Sequence, residues 1–324
     1  MTRLLSRIFI AGLSALCCMT AFGQTHVDLQ AHRGGRGLFP ENSLAAFESA
    51  IKMGVSAIEL DVVATKDDVL IVSHEPALNP DITRGADGKF VSAPGTPFIQ
   101  LTLAEVETYD VGRLNPRSSY ARFFPDQKPV DGQRIPRLKE VLDLVKSSGN
   151  AKLRVEVEIK GSPLKPALTA DPVHLADRVV QEIAESGIGS QVDVISFDWR
   201  TLREVQRKSP GTHTIYLTAQ LRELDNLMIG SAQDSPWTAG FQFRQYGSVP
   251  RMIKAAGGSG WSSFWRELDA AKVREAHEQG LKVLAWTVSD RDAINRVLDL
   301  GVDGIVTDRP DIAIEVFRGR GLAW

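Results

Sequence analysis

The sequence predicts an α/β fold of the TIM type, a (β/α)8 barrel, and three observations carry that prediction. Apolar, β-branched runs alternate with segments of helical period. Eight such runs follow one another along the chain, which favours a closed barrel over an open sheet. The length of 324 residues suits a single domain of this architecture.

Strands are expected at 27–31, 57–63, 153–159, 192–197, 212–217, 260–264, 281–288 and 304–307. Helices with apolar residues at i, i+3 and i+4 are expected at 43–52, 173–185, 199–208, 270–278, 291–300 and 312–318. Asn42 is placed to cap the first of them. Several of these segments end at glycine, as at Gly187 and Gly301, which is the usual C-terminal stop. Two stretches interrupt the rhythm. Thr65-Lys66-Asp67-Asp68 reads as a turn and 69–73 as a short returning strand, so a hairpin follows the second strand and brings His74 level with Asp61. Residues 75–137 are rich in Pro, Gly and Asp, weakly periodic and too long for a simple loop, and are expected to form a small insertion over the C-terminal face of the barrel.

The amino terminus reads as a signal peptide: Arg3 and Arg7 precede an apolar run over 8–18, and Ala21-Phe22-Gly23 offers a cleavage site after Gly23. The run is too short for a stable membrane anchor, although an uncleaved anchor is the rival reading. Periplasmic or secreted location follows, with the barrel domain over 24–324. Both cysteines, Cys17 and Cys18, lie in the leader, so the mature chain has no thiol nucleophile and no disulfide. Without Arg3 and Arg7, 36 basic residues face 40 acidic ones, a balance that gives no sign of a nucleic-acid partner. The oligomeric state is left open.

Glu59 and Asp61 sit two apart on one expected strand and share a face, while Ile58, Leu60 and Val62 share the other. Paired carboxylates on an inward face are costly unless a cation neutralises them, and hard oxygen ligands suit one divalent ion, Ca2+ or Mg2+. The third strand places Glu156, Glu158 and Lys160 on one face. Its C-terminal end lies at the active-site side of a barrel, where Glu158 can complete a three-carboxylate site and Lys160 can meet an anion. An internal Glu–Lys ion pair without metal is the alternative for this strand, and Glu156 is given no role. His32 and His74 both fall at strand ends facing the same mouth, and imidazoles supply the acid and base that breaking a phosphodiester requires. Arg33 is placed to grip a phosphate with its planar fork, or is a solvated loop residue before Gly34. Glu41 is placed to orient Arg33 or His32.

Ala31-His32-Arg33-Gly34, Pro40-Glu41-Asn42-Ser43, Glu59-Leu60-Asp61-Val62, Thr65-Lys66-Asp67 and His74-Glu75 together resemble the glycerophosphodiester phosphodiesterase family. The resemblance runs on through Glu158-Ile159-Lys160, Ser196-Phe197, Trp286-Thr287-Val288 and Gly301-Val302-Asp303-Gly304-Ile305-Val306-Thr307-Asp308, nearly the whole mature chain. It implies that Glu59, Asp61 and Glu158 bind the metal, that His32 and His74 exchange protons, and that Arg33 and Lys160 hold the phosphate. Phe197 and Trp286 match positions that wall the substrate pocket, where an aromatic side chain could equally be core. The chain departs from the family pattern at Glu75 (usually Asp), Asp68 (usually Gly) and Ser43 (usually Thr). The implied reaction hydrolyses a glycerophosphodiester to glycerol 3-phosphate and an alcohol. The attacking group is a water or the glycerol 2-hydroxyl, with His32 as acid and His74 as base. A lysophospholipase D-like activity on lysolipids and a non-catalytic phosphate-ester-binding barrel are the competing readings.

Overall fold

The computed structural model describes residues 26–324, so the expected leader and both cysteines lie outside the described residues. In chain order, β1 (Asp28–Ala31), α1 (Leu44–Met53), β2 (Ala57–Ala64) and β3 (Leu70–Val72) come first, followed by α2 (Leu103–Val106) and α3 (Leu138–Ser147). Next come β4 (Arg154–Ile159), α4 (Pro172–Ser186), β5 (Val192–Ser196), α5 (Trp199–Lys208), β6 (His213–Thr218), α6 (Phe243–Tyr246) and α7 (Val249–Ala255). The chain closes with β7 (Gly260–Phe264), α8 (Ala270–Glu278), β8 (Lys282–Trp286), α9 (Arg291–Asp299), β9 (Gly304–Thr307) and α10 (Pro310–Gly319). The hydrogen-bonded order β1-β9-β8-β7-β6-β5-β4-β2 is sealed by pairing of β1 with β2, giving eight parallel strands in a ring. Strand β3 lies outside the ring, antiparallel to β2, as the returning arm of the hairpin.

Each expected strand and helix is present within two residues of its predicted bounds. Helices α3 and α7, and the single turns α2 and α6, are not among those predicted. Leu138, Val141, Leu142 and Val145 give α3 a buried stripe at helical spacing, and Glu140 reaches back to accept from the Arg137 N–H. Because α3 follows directly on the insertion, that long irregular stretch hides its start. Helix α7 is only seven residues long, too short to show a period. The cap of α1 is Ser43, whose Oγ accepts from the Ala46 N–H at 3.2 Å, and not Asn42.

Residues 75–137 have a core of their own. Leu78, Phe98, Val106, Val111 and Ile135 pack with Val63 and Ile71 of the hairpin, so the segment is built onto β2 and β3. Its far end reaches the neighbouring part of the rim, where the Lys128 N–H donates to the Leu38 carbonyl after β1 and Asp126 pairs with Arg309 after β9.

Strand alternation divides the side chains into two sets. Ile58, Leu60, Val62, Val155, Val157 and Val194 face the helices in the main core. Inside the barrel, β1, β2 and β4 present Gln30, Glu59, Asp61, Glu156 and Glu158, all buried. The other arc presents Ile195, Ile215, Leu217 and Leu284, with Phe197 and Trp286 packed on them. One arc of the interior is therefore ionisable and the other greasy.

Glu156 lies below the mouth, where its Oε1 accepts from Gln30 Nε2 at 2.6 Å and its Oε2 has no partner. Burial, with the neighbouring Asp193 adding to it, pushes its carboxyl up to about 8. The folded state thus keeps a proton that the unfolded chain releases near pH 4.5, and stability drains away as pH rises from there towards 8. Glu156→Gln fills the same volume without that titration. In melting curves taken from pH 5 to 9, its advantage over wild type is expected to grow as pH rises towards 8 and to level off above it. A difference that stays flat across the range would show that Glu156 is not buried as an acid.

Candidate active site

The mouth of the barrel is built from the C-terminal ends of β1, β2, β4, β5, β8 and β9. Parallel register sets Asp61 beside Glu158 and Glu59 beside Glu156. One oxygen from each of Glu59, Asp61 and Glu158 comes within 4.8 Å of the others, so acids about a hundred positions apart in the chain meet at one point. The internal Glu–Lys pair also exists: Lys160 Nζ lies 2.7 Å from Glu158 Oε1 and 3.4 Å from Asp61 Oδ1. It does not balance the charge. Arg33 is shared between Glu41, at 2.8 Å, and Asp61, at 3.4 Å. Glu59 has only a backbone donor, the Arg33 N–H at 2.8 Å.

Titration behaviour follows from this shortage of positive charge. Burial pushes Glu59 well above the usual carboxylate range, and the adjacent Asp61 and Glu158 push it further. Glu158 is pushed up to about 7 by burial, against the pull of Lys160. Asp61 is held below the usual range: burial raises it, but Lys160, His74 and Arg33 outweigh that effect together. Asp61 Oδ1 is nevertheless buried without a hydrogen bond. A triad of hard oxygens in which one atom is buried without a partner and mutual repulsion pushes the acids upward fits a divalent metal.

Arg33 takes φ 50° in a tight turn over His32–Gly34. The next residue must be glycine, since it has φ 80° and a Cβ there would lie 2.7 Å from the Ala46 Cβ. This turn swings the Arg33 guanidinium inwards, where it is buried, so it is not a solvated loop residue. Of the two partners expected for Glu41, the structure selects Arg33; the second oxygen of Glu41 accepts from the Tyr120 hydroxyl. Asn42, with φ 54°, donates from Nδ2 to Asp61 Oδ2 at 2.9 Å. Its place is beside the acid triad, and the helix cap falls to the next residue.

Both histidines reach the cleft, and each is held through Nδ1 by a carboxylate. His32 lies 2.6 Å from Asp308 Oδ1, and His74 lies 2.9 Å from Glu75 Oε1. Since Asp308 and Glu75 are both held below the usual carboxylate range, they accept, Nδ1 carries the hydrogen, and Nε2 is left for chemistry. Glutamate at 75 therefore does what a shorter acid would do. Aspartate at 68 adopts φ 62° where glycine is usual, and is pinned by His174 at 2.6 Å. His74 is pulled down to about 4 by burial and by Arg33 and Lys160. His32 is also lowered by burial, against the charge of Asp308, which raises it.

Phe197 and Trp286 meet edge to face, with centroids 5.5 Å apart. Together with His32, Glu59, His74 and Glu158 they line a cleft of about 200 Å³. It opens past His74 into an outer hollow of about 420 Å³ that reaches Lys160. Sequence reasoning gave no role to Asp308, Arg36 or Tyr120. Arg36 donates to Asp308 at 2.8 Å and to the Tyr120 hydroxyl at 2.9 Å, and stacks on Phe124. Asp308 closes a motif at the end of the last strand and could have been suspected from that position; Tyr120 lies in the aperiodic insertion and had no signal.

A β/α barrel whose mouth gathers three buried acids, two carboxylate-held imidazoles and two cationic side chains defines a metal-assisted hydrolase of phosphate esters. Residues 32–312 match the model of the glycerophosphoryl diester phosphodiesterase family, and the chain belongs to that family. A glycerophosphodiester phosphodiesterase of Caldanaerobacter subterraneus subsp. tengcongensis is 28% identical over 292 residues, covering 90% of this chain and 98% of its own. A Silicibacter pomeroyi DSS-3 structure assigned as a glycerophosphoryl diester phosphodiesterase is 33% identical with TM-score 0.82, covering 93% and 96% of the two chains. A phosphodiesterase of Oleispira antarctica, solved with its product sn-glycerol-3-phosphate, shares the fold at TM-score 0.65 and 18% identity, over 90% of this chain and 96% of its own.

Titrating Ca2+ or Mg2+ into chelated protein should raise the melting temperature by several degrees, since a ligand at a hundred times its Kd adds about 2.7 kcal/mol. Glu59→Gln, which removes an acid that burial and its neighbours push upward, should hold the chelated-state melting point and lose the metal increment. A full increment in both Glu59→Gln and Asp61→Asn would remove these acids from the cation site.

Proposed function

We propose that this chain hydrolyses glycerophosphodiesters to glycerol 3-phosphate and an alcohol, with one divalent cation. The observation that carries the reading is the convergence of Glu59, Asp61 and Glu158 at the cleft that both histidines line. The three carboxylates would hold Ca2+ or Mg2+, which supplies charge stabilisation to a phosphate in flight. Arg33 and Lys160 share that anion's charge from the polar arc. Phe197 and Trp286 wall the carbon skeleton on the other side.

His74, kept neutral at pH 7 by burial beside Arg33 and Lys160, takes a proton from the attacking hydroxyl, that of water or of the substrate's own C2; on the second route the alcohol leaves a cyclic phosphate, which one water then opens to glycerol 3-phosphate. His32, lowered by burial but held through Nδ1 by Asp308, whose charge works against that lowering, gives a proton from Nε2 to the departing alkoxide as its bond to phosphorus breaks. The pattern at 1–23 supports export to the periplasm or medium, and amino-terminal sequencing of the exported protein should then read from Gln24.

Release of choline from glycerophosphocholine should occur with divalent cation, cease with chelator and exceed release from lysolipid micelles. His32→Ala and His74→Ala should each lose at least about a hundredfold in kcat while melting as wild type does. Near-normal turnover in either variant would dismiss that residue from proton transfer. Because the base must be unprotonated, kcat/KM should decline as pH falls through the His74 pKa, placing the acidic limb below the ordinary histidine value of 6.5.

A further inference from the structure

The greasy arc of the barrel contains one hydroxyl that the fold does not need. On β7, Trp261 turns outwards and donates from Nε1 to Thr218 Oγ1 at 2.8 Å, within the helix-facing core. Alternation sends its neighbour Ser262 inwards, in register with Leu217 of β6 on one side and Leu284 of β8 on the other. Ser262 is 1% exposed, and its Oγ has no hydrogen-bond partner. It nonetheless lines the cleft that holds His32, Glu59 and His74. Alanine would pack this wall equally well, and an unanswered hydroxyl among leucines is a net loss to stability. Such a group is explained by a partner that arrives with a ligand.

The chemistry of that partner follows from its surroundings. The phosphate belongs to the opposite arc, with the carboxylates, Arg33 and Lys160. A neutral hydroxyl both donates and accepts, so it matches another hydroxyl better than an anion or an alkylammonium head group. Trp286 Nε1, a donor on the same cleft, is likewise buried and unpartnered. Two orphan polar atoms across the cleft from the cation site suit an alcohol at the end of a short carbon chain whose other end carries the phosphate.

We infer that Ser262 reads the free terminal hydroxyl of the glycerol moiety and makes the site selective for glycerol esters over deoxygenated or acylated ones. This rests on the phosphodiesterase reading above. Ser262 contacts substrate without taking part in proton transfer.

The test compares glycerophosphocholine with 2-hydroxypropyl phosphocholine, which keeps the leaving group and the hydroxyl beside the ester but lacks the terminal one, on cation-saturated enzyme. Wild type should prefer the first. Ser262→Ala should lose roughly tenfold in kcat/KM on glycerophosphocholine, the scale of one hydrogen bond, and nothing on the analogue. Its melting point should hold or rise. As a readout free of turnover, glycerol 3-phosphate should protect the variant less than wild type against melting, while inorganic phosphate protects both equally. Equal losses on the two diesters, or no loss on either, would overturn the assignment of Ser262 and leave the phosphodiesterase reading standing. Hydrolysis of neither diester by wild type with cation would overturn both.

Discussion

Four buried acids, Glu41, Glu59, Asp61 and Glu158, crowd the barrel mouth, and among the described residues only two cationic side chains, Arg33 and Lys160, touch them. The protein resolves the imbalance in three ways. Glu59 is pushed well above the usual carboxylate range, Asp61 draws on Lys160, Arg33 and Asn42 together, and one Asp61 oxygen goes without a hydrogen bond. Isolated charges are expelled from protein interiors unless something repays the lost hydration. This arrangement is stable enough to form and poised to exchange a proton for a divalent ion.

Around that centre the chain builds a scaffold of shared partners. Asp308 serves His32 and Arg36; Tyr120 serves Arg36 and Glu41; Glu41 serves Arg33, which in turn reaches Asp61. A side chain from the insertion thereby fixes residues that emerge from β1 and the loop after it. The insertion can do so because it has a separate core on the β2–β3 hairpin and further ties to the loops after β1 and β9. Fixing the imidazoles and the guanidinium before substrate arrives removes a reorganisation cost from the chemical step.

The division of the interior into two arcs separates tasks. Charge is handled by β1, β2 and β4, where carboxylates in adjacent register can share a cation. Shape is handled by β5, β6, β7 and β8, where leucine, isoleucine and aromatic side chains form a wall with few polar atoms. A phosphodiester has the same two-sided character, an anionic centre carrying carbon substituents, and would lie across the boundary.

Periodicity alone was enough to read the barrel, because a strand buried on both faces and a helix buried on one leave different spacings in the chain. The acids were legible for the same reason: Glu59 and Asp61, or Glu158 and Lys160, break an apolar pattern at alternate positions, and burying such groups needs a cause. What spacing does not encode is which distant partner each group selects. Asn42 looks like a helix cap from its neighbours, yet the left-handed turn at that residue carries its amide to Asp61 and leaves the cap to Ser43. Asp308 and Tyr120 are separated from the groups they hold by 276 and 79 positions, and only closure of the ring and docking of the insertion bring them together. Local sequence determined the elements and the face each residue takes; tertiary structure decided the pairings, because a hydrogen bond depends on separations of a few ångströms that no one-dimensional pattern records.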